Sequence, residues 1–237
     1  MCLIAVAHRA SARFPFVLAA NRDEDYQRAT HDAHHWSDAP DVVGGKDALY
    51  GGTWLAVRRG GRFAAVTNLR GAERKKRSRG VLVRDFVTSD VDPETYAQTI
   101  AADADQYAGF HLLAGRVDGE VMYIAPELQT PLAPGVHAVS NAPSGEEWPK
   151  MAAAVQRLRN SLDIVSVESL LEELMRFLAT PRGTASPESE VFLRGDRYGT
   201  RSSTVIIATP TEILFAEQSY AAGGVLQGER RLFCLVR

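Results

Sequence analysis

Met1-Cys2-Leu3-Ile4-Ala5-Val6-Ala7, followed after one polar turn by Phe16-Val17-Leu18-Ala19-Ala20-Asn21-Arg22-Asp23-Glu24, is the stretch on which the fold depends. The apolar run from Cys2 reads as a buried strand over about 2–8, and the second run as a strand over about 15–20. Arg9 to Arg13 form the turn between them, with Pro15 at its end. If the two strands pair as a hairpin, the polar tetrad Asn21 to Glu24 lies near the open end of the Cys2 strand. Initiator methionine is normally removed before a residue as small as cysteine. Removal would leave a thiol and a free α-amine on Cys2, a nucleophile carrying its own base. Their free pKa values of about 8.5 and about 7.7–8 let either act near neutrality with slight tuning. The plain alternative is a small core residue that happens to fall second.

Outward from this hairpin, residues 21–52 read as loop, rich in His, Asp, Pro and Gly. Thr53 to Val57 and Phe63 to Thr67 read as a hairpin turned by Gly60-Gly61. Ser78 can cap a helix to about Thr88, and Asp92-Pro93-Glu94 starts another to about Ala102. Strands at about 110–117 and 120–125 meet at Asp118-Gly119, and a further strand covers about 136–140. Helices near 149–160 and 166–179 follow, then strands near 203–208, 212–218 and 231–236. Hairpin-linked strands imply antiparallel sheets rather than βαβ units. The predicted architecture is α+β: a four-layer αββα sandwich of two antiparallel sheets flanked by helices, over one domain spanning 1–237.

The bulk properties exclude several classes. Net charge is −2, which gives no bias toward nucleic acid or membrane surfaces. Only Cys2 and Cys234 occur, so no disulfide framework is expected and a reducing compartment fits. There is no signal-peptide pattern and no apolar stretch of the ~18–20 residues that span a bilayer. The cytoplasm is the expected location, with no integral membrane segment. No cofactor or resident metal is expected, and the oligomeric state is left open.

The tetrad itself admits two readings: a solvated strand end, or a set of charges serving the thiol. An Arg near a thiol favours thiolate, and an Asp can hold an α-amine. Further segments bear on the choice: Gly51-Gly52-Thr53-Trp54, Val66-Thr67-Asn68, Ser140-Asn141-Ala142, Trp148-Pro149-Lys150 and Gly199-Thr200-Arg201-Ser202-Ser203-Thr204. With the Cys2 start and the Asn21 to Glu24 tetrad, they resemble the NRDE family, which includes the transport and Golgi organisation proteins. The resemblance runs from residue 1 to about 218. It implies an N-terminal-nucleophile hydrolase fold. It also implies links to haem trafficking and to lipid or acyl-CoA metabolism.

A more distant resemblance, to penicillin V acylases and bile-salt hydrolases, implies roles. Arg22 matches their first Arg, Asn68 their hairpin Asn, Asn141 the next Asn, and Arg201 is the best match for a late Arg. Asp23 or Asp25 stands for their Asp; the acylase spacing favours Asp25 and the tetrad favours Asp23. Cys2 would then attack an amide or ester carbonyl, its α-amine shuttling the proton. The Asn141 side-chain amide and the Asn68 backbone N–H would hold the oxyanion. Arg22 and Arg201 would lower the thiol pKa or grip a substrate carboxylate. Asn21 and Trp54 are expected to contact substrate; Ser202 and Ser203 read as structural.

Weaker features remain. His31, His34 and His35, beside Asp32 and Asp38, form a loop cluster that suits a metal or haem iron only with ligand geometry the spacing does not supply. Arg70, Arg74, Lys75, Lys76, Arg77 and Arg79 form either a solvated basic loop or a site for an anion. Cys234 reads as inert. The functional expectation is a cysteine N-terminal-nucleophile hydrolase acting on a small-molecule linear amide. The alternative is a non-catalytic carrier of haem, acyl lipid or acyl-CoA on the same scaffold.

Overall fold

A computed structural model describes residues 2–72, 75, 77–183 and 186–237. In chain order the first strands are β1 (Leu3–His8), β2 (Phe16–Asp25), β3 (Thr30–Trp36), β4 (Ala39–Asp47), β5 (Leu55–Arg58) and β6 (Arg62–Asn68). Helices α1 (Gly80–Thr88) and α2 (Pro93–Ala102) follow, then β7 (Phe110–Arg116), β8 (Val121–Ala125), β9 (Leu128–Pro131) and β10 (Gly135–Ser140). The chain continues through α3 (Pro149–Ser161), α4 (Val167–Ala179), β11 (Tyr198–Ala208), β12 (Glu212–Ala221) and β13 (Val225–Val236).

One sheet has the order β10-β1-β2-β11-β12-β13 and the other runs β3 to β9 in sequence, all pairs antiparallel. The strand period of two sorts side chains into three apolar layers. Ile4, Val6, Phe16, Leu18, Val57, Phe63 and Phe215 fill the space between the sheets. Leu3, Ala5, Val17, Ala19, Leu158 and Leu174 pack the first sheet on α3 and α4. Ala56, Ala64, Leu82, Phe86, Tyr96 and Ile100 pack the second sheet on α1 and α2. This is the expected αββα sandwich.

The helices form for local reasons. Asp92 accepts the Thr95 N–H at 2.8 Å and caps α2, while Ser166 accepts from Ser169 N–H at 3.0 Å and caps α4. On α4, Leu170, Leu171, Leu174, Met175 and Leu178 fall on one face and are buried, each worth about 2 kcal/mol of transfer free energy. Ser78 accepts from Gly80 N–H at 3.3 Å rather than capping α1 as expected, since the residue before α1 is Arg79.

Residues 21–52 depart most from expectation. They are not loop: β2 runs on through Asp25, and β3 and β4 form the edge of the second sheet. Gly44 and Gly45 sit inside β4, not in a turn. A Cβ at Gly44 would meet Leu55 O at 2.6 Å, and one at Gly45 would meet His31 O at 2.8 Å. The glycines let neighbouring backbone approach. The short β9 is additional to the expected strands, and the last strand, expected near 231–236, starts earlier as the long edge strand β13.

Candidate active site

The period of two fixes where Cys2 points. Ile4 and Val6 face the second sheet, so Cys2, one even step earlier, faces it too. Leu3 pairs with Asn21 on β2 and with Ser140 on β10. One step further in the same registers sets Cys2 between Arg22 and Asn141. Cys2 is 8% exposed and lies in the wall of a cavity of about 500 Å³ at the open end of the sandwich. Its Sγ donates weakly to the Asp23 carbonyl at 3.9 Å. Burial pushes its thiol pKa up, against the pull of Arg22, so the resting group is a thiol. Met1 lies outside the described residues.

Arg22, Asp23, Asn68 and Trp54 line this cavity with Cys2. Arg22 lies 3.5 Å from Glu24 and 3.5 Å from the Thr30 hydroxyl. Asp23 is buried, its Oδ1 accepts from Thr200 Oγ1 at 2.7 Å, and Tyr198 Oη donates to its backbone carbonyl at 3.1 Å. Burial pushes the Asp23 carboxyl up, and Lys150 and the Thr200 hydroxyl counteract it. Asp25, the other candidate, is tied to Arg197 at 3.0 Å and to the Gln27 N–H at 2.9 Å, away from the cavity wall.

The backbone of Asn68 has the geometry of a donor. Val66 N–H bonds to Trp54 O toward β5, and Leu69 N–H bonds to Gly109 O toward β7. Amides alternate along a strand, so Asn68 N–H points to the β5 side. There β5 has not yet begun, and the cavity takes its place. The Asn141 side chain does not line the cavity. Its Nδ2 donates to Asn68 O at 2.6 Å, and its Oδ1 is buried with no partner among the described residues. Asn141 therefore braces the end of β6. Arg70 N–H to Asn141 O at 3.0 Å and Thr67 Oγ1 to Ser140 O at 2.7 Å add two more ties between the sheets.

Besides Asn141, two expected site residues sit outside the cavity wall. Asn21 faces the helix layer with Val17 and Ala19, not the cavity: its Nδ2 donates to Leu178 O and Val191 O at 2.8 Å each, and its Oδ1 accepts from Ser203 Oγ at 2.7 Å. Those bonds tie the end of α4 to the sheet. Arg201 lies at a β-bulge between Thr200 and Ser202 that turns it into an adjoining small cleft with Arg22, Ser202 and Glu217. There it donates to the Tyr26 carbonyl. Ser203 is structural, as expected, and Ser202 lines the same cleft.

Three residues around the site have no role assigned from sequence, although Lys150 lies in the Trp148-Pro149-Lys150 segment. Lys150 is 1% exposed, and both Asp23 and Cys2 act on its charge, opposing the burial that pushes its pKa down. A lysine is almost never this buried without a partner charge. Tyr198 reaches Asp23 through its hydroxyl. His111 holds the turn after Asn141: its Nε2 bonds Ala142 O at 2.8 Å and its Nδ1 lies 2.7 Å from Tyr123 Oη. A carbonyl only accepts, so Nε2 carries the proton and Nδ1 accepts from Tyr123. The His31, His34 and His35 cluster lies on β3; His34 and His35 bond backbone carbonyls, and no group of three metal-binding side chains is gathered among the described residues.

This sandwich is shared by solved structures of other proteins. The chain superposes on a conjugated bile acid hydrolase from Clostridium perfringens, in its C2A form, with a TM-score of 0.57 and 9% identity, covering 98% of this chain and 92% of that one. A Caenorhabditis elegans N-acylethanolamine-hydrolyzing acid amidase ortholog gives a TM-score of 0.52 at 15% identity, over 87% of this chain and 92% of that one. These likenesses establish the fold. By sequence the protein belongs to the Transport and Golgi organisation 2 family, which it matches over residues 1–222. The Transport and Golgi organization protein 2 homolog of Bos taurus is 30% identical over 87% of each chain. The Homo sapiens homolog is 29% identical over 93% of this chain and 92% of its own. Among the described residues no helix is long and apolar enough to cross a membrane.

Proposed function

We propose that the protein is a cysteine N-terminal-nucleophile hydrolase that cleaves the C–N bond of linear amides. The observation that carries the reading is the placement of Cys2 in the cavity wall beside Arg22 and Asp23, with the Asn68 N–H open to the same space. The solved neighbours named as amide-cleaving enzymes support it by analogy of fold.

In this mechanism Met1 is removed and the α-amine of Cys2 takes the thiol proton. A base is required because burial holds the sulfur protonated. The sulfur bonds to the carbonyl carbon, and Asn68 N–H donates to the oxyanion. The α-amine returns the proton to the departing nitrogen, the C–N bond breaks, and a thioester remains. Water, deprotonated by the same amine, then releases the acid and restores the thiol. Asp23 holds the α-ammonium; Arg22 steadies the thiolate; Asn141 keeps Asn68 in place. Trp54 forms the apolar wall for substrate.

The test is hydrolysis of a panel of linear N-acyl amides by the Met1-free protein and by Cys2→Ala, with released acid read by mass spectrometry. Cleavage lost in Cys2→Ala is expected; cleavage that persists sinks the reading. The rival is a non-catalytic carrier for haem, acyl lipid or acyl-CoA on the same scaffold. A carrier would bind its ligand with and without Cys2 and release no acid.

A further inference from the structure

The basic stretch before α1 holds charge that the proposed chemistry does not use. Lys75, Arg77 and Arg79 line the Cys2 cavity, together with Arg22, Arg28 and Lys46. Most of these cations are already paired. Arg28 is held by Asp47 at 2.5 Å, Lys46 by Asp38 at 2.5 Å, and Arg77 by Asp103 at 3.1 Å. Arg79 differs. It is half-buried, its hydrogen bond goes to the neutral Gly109 carbonyl at 3.1 Å, and among the described residues no carboxylate pairs with it. Arg79 lines the same cavity as Cys2. A guanidinium fixed in a cavity wall without a counter-ion is built to take one from a ligand.

The rim of the same cavity has the opposite character. Leu49 is 67% exposed and Tyr50 is 56% exposed, and both line the cavity. They are held outward by a fixed turn: Asp47 Oδ1 accepts from Leu49 N–H at 2.9 Å, and Gly51 N–H donates to Asp47 O at 2.9 Å. Arg28 lies under the Tyr50 ring, 5.6 Å from its centre. Two large apolar side chains displayed at the mouth of a charged cavity suit a ligand with an apolar arm.

We propose that the cavity takes an amphipathic anion: an amide with a carboxylate close to the scissile bond, held by Arg79, and an apolar chain lying against Leu49 and Tyr50. The proposal rests on the amide-hydrolase reading for what happens to the ligand, but not for its binding.

The test separates the two. N-lauroylglycine and N-lauroylethanolamine differ by a carboxylate against a neutral hydroxymethyl group. Both are titrated calorimetrically into the full chain carrying Cys2→Ala, so that no turnover intervenes. A charge-assisted pair predicts binding about tenfold or more tighter for the glycine conjugate. Arg79→Met should erase that preference while leaving the affinity for the ethanolamide unchanged, and Arg79→Lys, which keeps the charge, should retain part of it. Equal binding of the two ligands, no binding of either, or a preference that survives Arg79→Met overturns the proposal. Turnover is then measured with Cys2 intact. An Arg79-dependent preference without hydrolysis of either amide keeps the anion site and removes the hydrolase reading. Hydrolysis without a preference does the reverse.

Discussion

Glu217→Gln should stabilise the protein at neutral pH and do nothing in acid. Glu217 is 4% exposed in the cleft beside Arg22 and Arg201. Its Oε1 accepts the Ala33 N–H at 2.6 Å and its Oε2 accepts the Thr204 hydroxyl at 3.3 Å. Burial pushes its pKa from 4.5 up to about 6. Between those values the folded chain still binds a proton that the unfolded chain has lost, so stability falls as pH rises through this window. Each pH unit is worth about 1.4 kcal/mol, so the total is about 2 kcal/mol, complete a little above pH ~6. Glutamine keeps the acceptor for Ala33 and carries no charge to desolvate. Urea unfolding of both proteins at about pH 3.5 and about pH 7.5 measures the effect. The variant should match the parent at the lower pH and exceed it by about 2 kcal/mol at the higher. A stability difference that is the same at both values, or a variant weaker at pH 7.5, would refute the reasoning.

Other outcomes follow from the same geometry. Asn21→Ala leaves two backbone carbonyls and the Ser203 hydroxyl without their buried partner, and should cost about 2–4 kcal/mol in urea unfolding. It should leave alkylation of Cys2 at the parental rate; slowed alkylation in a stable variant would point to a site role instead. Arg22→Met removes one of the positive charges that lower the Cys2 pKa, so iodoacetamide labelling in a Cys234→Ser background should shift to higher pH. An unshifted profile would remove Arg22 from the account. His111→Phe frees the Ala142 carbonyl and the Tyr123 hydroxyl, and should cost about 1–3 kcal/mol on thermal or urea unfolding. A neutral result would mean that the turn after Asn141 is held by its other contacts.

The layer order was readable because the apolar strands alternate cleanly and α2 and α4 carry conventional caps. The edge strands β3 and β4 were not readable. Of β3 only Ala33 and Trp36 are fully buried, so its His-rich polar positions hide the period. In β4 the glycines mimic a turn while serving close backbone contact. The site shows the same division. Arg22 could be placed from its register opposite Cys2. Asn21 belongs to the other face, which the alternation of Val17, Ala19 and Asn21 already implied. Arg201 depends on a bulge, and a bulge shifts a face without leaving a sequence mark. Lys150 and Arg79 were visible only as members of a motif segment and a basic run; burial of Lys150 and the missing counter-ion of Arg79 among the described residues set them apart.

The most direct test of the central claim is the intact mass of the protein purified from a cell able to process its amino terminus. The account predicts a mass lower by one methionine residue, leaving the Cys2 α-amine free beside Asp23. A mass that retains Met1 would leave the sulfur buried and protonated with its base blocked, and would contradict a self-activated nucleophile.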